Sequence, residues 1–151
     1  METLCIKSIV GELTVFEDGG RIIALDWGRG LDTPRTTANT TLNRAAEALR
    51  TYFQSGIDDF DDLPLDPGGT PFQNRVWSAM RKIPHGEVRT YGEVAKLLGS
   101  SPRAVGTACG ANPIPILIPC HRIVGKASLG GYSGDGGLDT KRDLLRLEGY
   151  I

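Results

Sequence analysis

The chain has 151 residues, 40% of them hydrophobic, and a net charge of −1, enough apolar material for one good core or two small ones. It holds no run of about 18 apolar residues, which excludes a membrane-spanning helix, and its opening residues mix charge with apolar positions at strand spacing, so no secretion signal is expected. Three cysteines far apart in sequence, Cys5, Cys109 and Cys120, argue against a disulfide framework and for a reducing cytosol or nucleus.

The first half reads as a small sheet and a helix. Leu4–Val10, Leu13–Glu17 and Arg21–Trp27 are short apolar-rich runs, and Asp18-Gly19-Gly20 between the last two is a hairpin signal. Leu42, Ala45, Ala46, Leu49, Tyr52 and Phe53 follow at the spacing of one helix face, with Gly56 as the stop. Asp58, Asp59, Asp61 and Asp62 form an acidic loop, and residues 64–69, rich in proline and glycine, look like a linker. The predicted boundary falls between residues 66 and 67.

The second half is helical. Thr70-Pro71-Phe72-Gln73 carries an N-cap, a proline at the first helical position and a capping-box glutamine. Phe72, Val76, Met80 and Ile83 give that helix a core stripe with Trp77 beside it, and Pro84-His85-Gly86 ends it. Thr90-Tyr91-Gly92-Glu93 is a second capping box, opening a short helix with Val94, Ala95, Leu97 and Leu98 expected to face inward and Gly99 as the stop. Ser101-Pro102 caps a third helix bearing Ala104, Val105, Ala108 and Cys109, closed by Asn112-Pro113. Residues 114–119 are almost wholly apolar, and their prolines exclude a central strand; an extended, buried segment is expected to deliver Cys120. A glycine-rich loop follows, and Asp139 is placed to cap a last helix containing Leu144, Leu145 and Leu147, with Gly149 as its stop.

The two helices joined at Leu98-Gly99-Ser100-Ser101 match a helix-turn-helix. The second is rich in small residues, among them Ala104, Gly106 and Ala108, which would let its backbone approach a duplex closely; they serve equally well in a helical hairpin that packs on the core and binds nothing. Charge separates these alternatives. Residues 1–66 carry 6 Lys+Arg against 12 Asp+Glu, a net of −6, and residues 67–151 carry 11 against 6, a net of +5. A basic half beside an acidic one fits a polyanion-binding module joined to one that binds none.

Pro119-Cys120-His121-Arg122 is the most informative tetrapeptide. A thiolate is the competent nucleophile, and a neighbouring base or cation raises its fraction. His121 can take the proton directly or through a water. Adjacent side chains on a straight strand point to opposite faces, so either the chain turns here or a water bridges the pair. A carboxylate would orient the imidazole, and spacing does not select Glu148 from the six acids of this half.

The segment Pro113-Ile-Pro-Ile-Leu-Ile-Pro-Cys-His-Arg122 closely resembles the active-site segment of the O6-alkylguanine-DNA alkyltransferases. The similarity extends to Gly86–Tyr91, Arg103-Ala-Val-Gly106, Asn112-Pro113, Gly131-Tyr132-Ser133-Gly134 and Glu148-Gly149, in order over the second half. It implies an α+β fold in which a small antiparallel sheet with a helix (residues 1–66) precedes a helical domain with a winged helix-turn-helix (residues 67–151). It implies direct-reversal DNA repair. Cys120 would take the alkyl group from O6-alkylguanine in double-stranded DNA, with O4-alkylthymine as a further substrate, once per molecule and after the base is flipped out. His121 would act as base through a water, Glu148 would orient it, Asn112 would brace the active-site turn, and Tyr91 would help rotate the nucleotide and donate to the base. Tyr132, Ser133 and Ile123 would line the base pocket. Arg103 would fill the vacated stack, with Ser101, Ala104, Gly106, Thr90 and Arg122 also on the DNA. Physics agrees: a base in a duplex must be extruded to be reached, donors that neutralise charge growing on guanine help it leave, and a thioether is too poor a leaving group to regenerate the thiol.

The resemblance further implies no cofactor and a monomer in the cytoplasm, on the nucleoid, or in a nucleus. Some members of the family carry a structural zinc in the first domain; with two histidines in the chain and only Cys5 as a cysteine in that half, no metal is expected. Departures from the family pattern are Ile123 for the usual valine, Gly110 where some members have an extra arginine, Asp143 at an often aromatic position, and Asp135 beside the pocket. Three rivals compete: a recognition-only relative that binds alkylguanine DNA and signals to other repair systems, a winged-helix regulator, and a thiol hydrolase. The first lacks the cysteine, the second gives no reason for Pro-Cys-His-Arg, and the third would turn over.

Overall fold

The computed structural model describes residues 1–30, 32–132, 134 and 136–151. It opens with three antiparallel strands in sequence order, β1 (Glu2–Ser8), β2 (Gly11–Asp18) and β3 (Arg21–Trp27). Register sets Leu4 against Val15 and Ile6 against Leu13, which gives one continuous apolar face, and α1 (Thr40–Ser55) lies across it. Gly19 and Gly20 both adopt positive φ, 60° and 84°, the backbone a two-residue turn needs to match strand twist. The first turn comes earlier than the apolar run suggested: β1 stops at Ser8, and Ser8 is paired with Gly11.

Asn39 caps α1 by accepting from the Leu42 N–H, and the inward stripe is Leu42, Ala45, Ala46, Leu49 and Tyr52, with Phe53 half-buried. Gly56 ends the helix at φ 74°. An added Cβ there would lie 2.1 Å from the Leu147 carbonyl oxygen, so glycine is required both by backbone conformation and by the close passage of the chain's last helix.

Both edges of the sheet are engaged. On one, the Cys5 N–H donates to Pro34 O at 2.8 Å; on the other, Ile22 N–H donates to Pro64 O and Asp66 N–H to Ile22 O, each at 2.8 Å. The expected linker is therefore strapped along β3. Leu25 N–H donates to Pro113 O at 3.0 Å, so the second half closes the same edge.

That half contains α2 (Pro71–Arg81), β4 (Arg89–Thr90), α3 (Tyr91–Leu98), α4 (Pro102–Gly110), a 3-10 turn (Cys120–Arg122), β5 (Ile123–Val124) and α5 (Gly137–Leu147). Both capping boxes form, at Thr70/Gln73 and Thr90/Glu93. Gly99 at φ 64° and the Ser101 cap make the tight joint of the helix-turn-helix. β4 and β5 pair in parallel, and the described residues between β5 and α5 form no strand.

Three expectations need correcting. Leu97 is 75% exposed while Val94 and Ala95 are buried, because an eight-residue helix presents only one narrow face to the core. The last helix starts at Gly137 with no side-chain cap, and Asp139 sits inside its first turn, where its charge faces the positive end of the helix dipole. Residues 114–119 are buried but not extended; the path doubles back, as described below.

One continuous core runs from Leu4 and Leu13 through Trp77 and Met80 to Ile116 and Leu144, so the chain builds one core and not two. No helix among the described residues is long and apolar enough to cross a membrane.

Candidate active site

Cys120 is placed by a folded-back segment. Ile118 N–H donates to Ile114 O at 2.9 Å, and Ile116 takes φ 73°, a strained value for a β-branched residue. Asn112 holds the strain in place. Its Nδ2 donates to Ile118 O and its Oδ1 accepts from Ile114 N–H, both at 2.9 Å. Cys120 then opens the 3-10 turn. Of the two alternatives left by strand geometry, the chain turns.

The turn sends His121 and Arg122 into the core. His121 is fully buried, and its Nε2 lies 2.6 Å from Glu148 Oε2. Glu148, at the end of α5, is also bound by Arg122 through Nε to Oε1 (3.0 Å) and Nη2 to Oε2 (2.9 Å), and Tyr52 on α1 donates to Oε2 at 2.5 Å. Arg122 Nη1 donates to Ile83 O at 2.8 Å, and Nη2 reaches Asp58 Oδ2 at 2.5 Å. Burial would raise the Glu148 pKa, but hydrogen bonds from His121 and Arg122 and their charges hold it at about 2. An ionised Glu148 calls for a proton on Nε2, which leaves Nδ1 as the acceptor nitrogen. Nδ1 is buried and makes no hydrogen bond among the described residues. Burial lowers the His121 pKa against the pull of Glu148, and burial raises that of Cys120 against the Asn112 hydrogen bond and the Lys141 charge. The resting pair is therefore a neutral thiol and a neutral imidazole.

Cys120 lines a cavity of about 310 Å³ with Tyr91, Gly106, Cys109, Gly110, Gly131 and Tyr132. The small residues of α4 at positions 106, 109 and 110 share one helix face and give the cavity a wall of little bulk. Burial raises the Tyr91 pKa, with further push from Cys109 and Cys120, so its hydroxyl keeps its proton for donation. Gly130 sits at φ 74°, where a Cβ would lie 2.9 Å from the Tyr91 ring. Tyr132 meets Trp27 edge-on, with centroids 6.1 Å apart, and its buried hydroxyl has no partner among the described residues.

Two functional residues escaped the sequence. Lys141 is 0% exposed; its ammonium donates to Ile123 O at 2.6 Å and Gly131 O at 3.0 Å, tying the cavity loop to β5. Burial lowers its pKa to about 8, with Cys120 and Cys109 pulling the other way. The signal was available: Lys141, Leu144, Leu145 and Glu148 follow helical spacing on one face. Tyr52 was placed in the core correctly, but its hydroxyl had no predicted partner, and spacing cannot pair residues 96 positions apart.

The structure thus brings Cys120, His121, Glu148, Asn112, Tyr91 and Tyr132 together. It does not bring Arg122 to a DNA-facing surface: Arg122 is 3% exposed and held by two carboxylates, a correction to the expectation of phosphate contact. Ile123 is fully buried and is not among the cavity's lining residues; its carbonyl serves Lys141. Ser133 and Asp135 lie outside the described residues. Ser101 and Arg103 are exposed at the start of α4, with Ala104, Gly106 and Thr90 half-buried nearby. The hydroxyls of Ser101 and Thr90 are already engaged as helix caps.

Comparison with known proteins places this geometry in context. Residues 71–150 match the family model described as 6-O-methylguanine DNA methyltransferase, DNA binding domain, and residues 3–67 match the ribonuclease-like domain of the same methyltransferase. The methylated-DNA–protein-cysteine methyltransferase of Metallosphaera sedula is 41% identical over 141 residues, covering 93% of this chain and 88% of that relative. The Haemophilus influenzae protein of the same name is 40% identical, covering 93% and 82%. Among solved structures, the Mycobacterium tuberculosis OGT in complex with DNA superposes with a TM-score of 0.85 at 41% identity, covering 98% of this chain and 92% of that one. An O6-methylguanine DNA methyltransferase from Methanococcus jannaschii gives 0.71 at 31% identity, covering 96% and 92%.

Proposed function

Because the chain belongs to the O6-alkylguanine-DNA alkyltransferases, the methylated-DNA–protein-cysteine methyltransferases, and is a direct-reversal enzyme that transfers an alkyl group to a cysteine of its own, we propose that Cys120 is that cysteine. The observation that carries the assignment is the His121 ring, bound to Glu148 through Nε2 and left with an acceptor Nδ1 on the same turn as Cys120. His121 takes the thiol proton, directly or relayed by one water. The Cys120 sulfur attacks the alkyl carbon in line, the carbon–oxygen bond breaks, and its electron pair returns to the guanine. Tyr91 supplies a donor to the purine as that charge develops. Asn112 fixes the turn, and Tyr132 shapes the pocket.

DNA is the partner. α4 is the helix that approaches the duplex, with Ser101, Ala104 and Gly106 beside the backbone and Arg103 filling the stack when the base rotates out. The exposure of Arg103 on the first turn of α4 supports this role. Residues 1–66 form an accessory unit and residues 67–151 the DNA-binding and transferring unit, a division supported by the bounds of the two family matches. The protein acts as a monomer wherever the cell keeps its DNA.

The test is to mix the protein with a duplex containing one O6-methylguanine and analyse its peptides by mass spectrometry. One methyl group on the Cys120 peptide per guanine restored is expected, and none with Cys120→Ala. Tight binding without methylation would instead indicate a recognition protein, and neither binding nor transfer would overturn the substrate assignment.

A further inference from the structure

The first half of the chain carries no nucleophile or base for the reaction, yet it sends two polar side chains into the catalytic network. Tyr52 donates to Glu148 Oε2. Asp58, in the loop after α1, accepts from Arg122. That loop also holds Asp59, Asp61 and Asp62, all exposed, whereas the Asp58 side chain is only 18% exposed. One acid of the four has been drawn inward.

The charge count explains what it does there. Arg122 stands between two carboxylates, Asp58 and Glu148. With neutral His121 the cluster carries one net negative charge, and when His121 receives the Cys120 proton the cluster becomes neutral. Without Asp58, Glu148 and Arg122 would already cancel, and the imidazolium would have only the Cys120 thiolate as counter-charge, which is lost when the sulfur takes the alkyl group; a cation left unbalanced in the core is costly. We propose that Asp58, acting through Arg122, sets the basicity of His121, so that the first half of the chain is part of the proton-accepting apparatus. The inference rests on the reading of His121 as the base. The groups acting on His121 are Glu148 and Lys141 from α5, Arg122 from the turn, its chain neighbour Cys120 and, beyond Glu148 and Arg122, Tyr52 from α1 and Asp58. Lys141 and Arg122 disfavour the imidazolium, and Asp58 offsets the second of them.

Asp58 is a positioning residue, and pH distinguishes its role from a structural one. The experiment measures the single-turnover rate of Cys120 alkylation by O6-benzylguanine from pH 6 to pH 10 in the full chain. In Asp58→Asn the rate at pH 7 should fall about tenfold, the effect of one unit of imidazole basicity. The deficit should shrink as pH rises and the thiol ionises without His121. Asp58→Glu, which keeps the charge, should restore most of the rate. A wild-type rate in Asp58→Asn, or a deficit equal at every pH, overturns the inference, as does failure of Asp58→Glu to rescue. His121→Ala separates the two readings: if it reacts as fast as wild type, the base assignment itself has failed.

Discussion

Cys120 is under two opposed demands. Burial encloses the Cys120 sulfur beside a shaped cavity, and the same burial holds the proton on it. Asn112 works against that by a hydrogen bond and Lys141 by its charge, and the proposed mechanism adds His121 as the acceptor. Replacing Lys141 with methionine removes the charge while keeping length and apolar packing. The Cys120 thiol pKa should then rise further, seen as slower carbamidomethylation by iodoacetamide at pH 8. An unchanged pH profile would mean that Lys141 only ties the loop. Tyr52→Phe should cost about 1.5–3 kcal/mol of stability, the range for a hydrogen bond to a charged group, measured by urea unfolding. Cys120, His121 and Asn112 were legible because their neighbours in sequence are their neighbours in space. Arg122 was not. An arginine after a histidine in a basic half reads as a phosphate ligand, and its actual partners lie 26 and 64 positions away.

At the level of elements, three of the four capping signals held because a cap is local: Thr70, Thr90 and Ser101 each accept the N–H expected of them, whereas Asp139 lies inside the first turn of its helix. Thr90→Ala should cost about 1 kcal/mol and loosen the turn that presents Tyr91, which thermal unfolding and the transfer rate would both report. Faces were harder to read. Leu97 looks inward by composition, yet the narrow stripe of α3 leaves it in solvent. The doubled-back path of residues 114–118 could not be foreseen, since it requires a positive φ at an isoleucine. α4 carries its own test. Arg103→Ala should reduce repair of O6-methylguanine in duplex DNA about tenfold or more, because an opened stack is left unfilled, while reaction with free O6-benzylguanine stays near wild type. Equal losses in both would remove Arg103 from the flipping step.

Across the whole molecule, stability should fall with acid in two stages. Burial depresses the His121 pKa below its ordinary 6.5, so the unfolded chain binds a proton there first and stability declines as pH drops below 6.5. Glu148 is held at about 2 against an ordinary 4.5, so its contribution is complete above 4.5 and is lost as pH falls from there toward 2. Both groups take up protons on unfolding, and both signs agree. Urea midpoints measured from pH 7 to pH 3 should decrease throughout, and His121→Gln should flatten the portion near pH 6. Composition and the proline-glycine stretch suggested two units, but the unity of the core was not legible, because the contacts that create it join residues far apart.

The ties between the halves also bear on how such a protein can be recombined. Tyr52 with Glu148, Asp58 with Arg122, and Gly56 under Leu147 are matched across the boundary. A graft that joins the first half of one relative to the second half of another must bring all three matches with it. A mismatch leaves a buried ion without its counterpart or a methyl group against a carbonyl. Such a hybrid should fail at folding, before it meets any DNA.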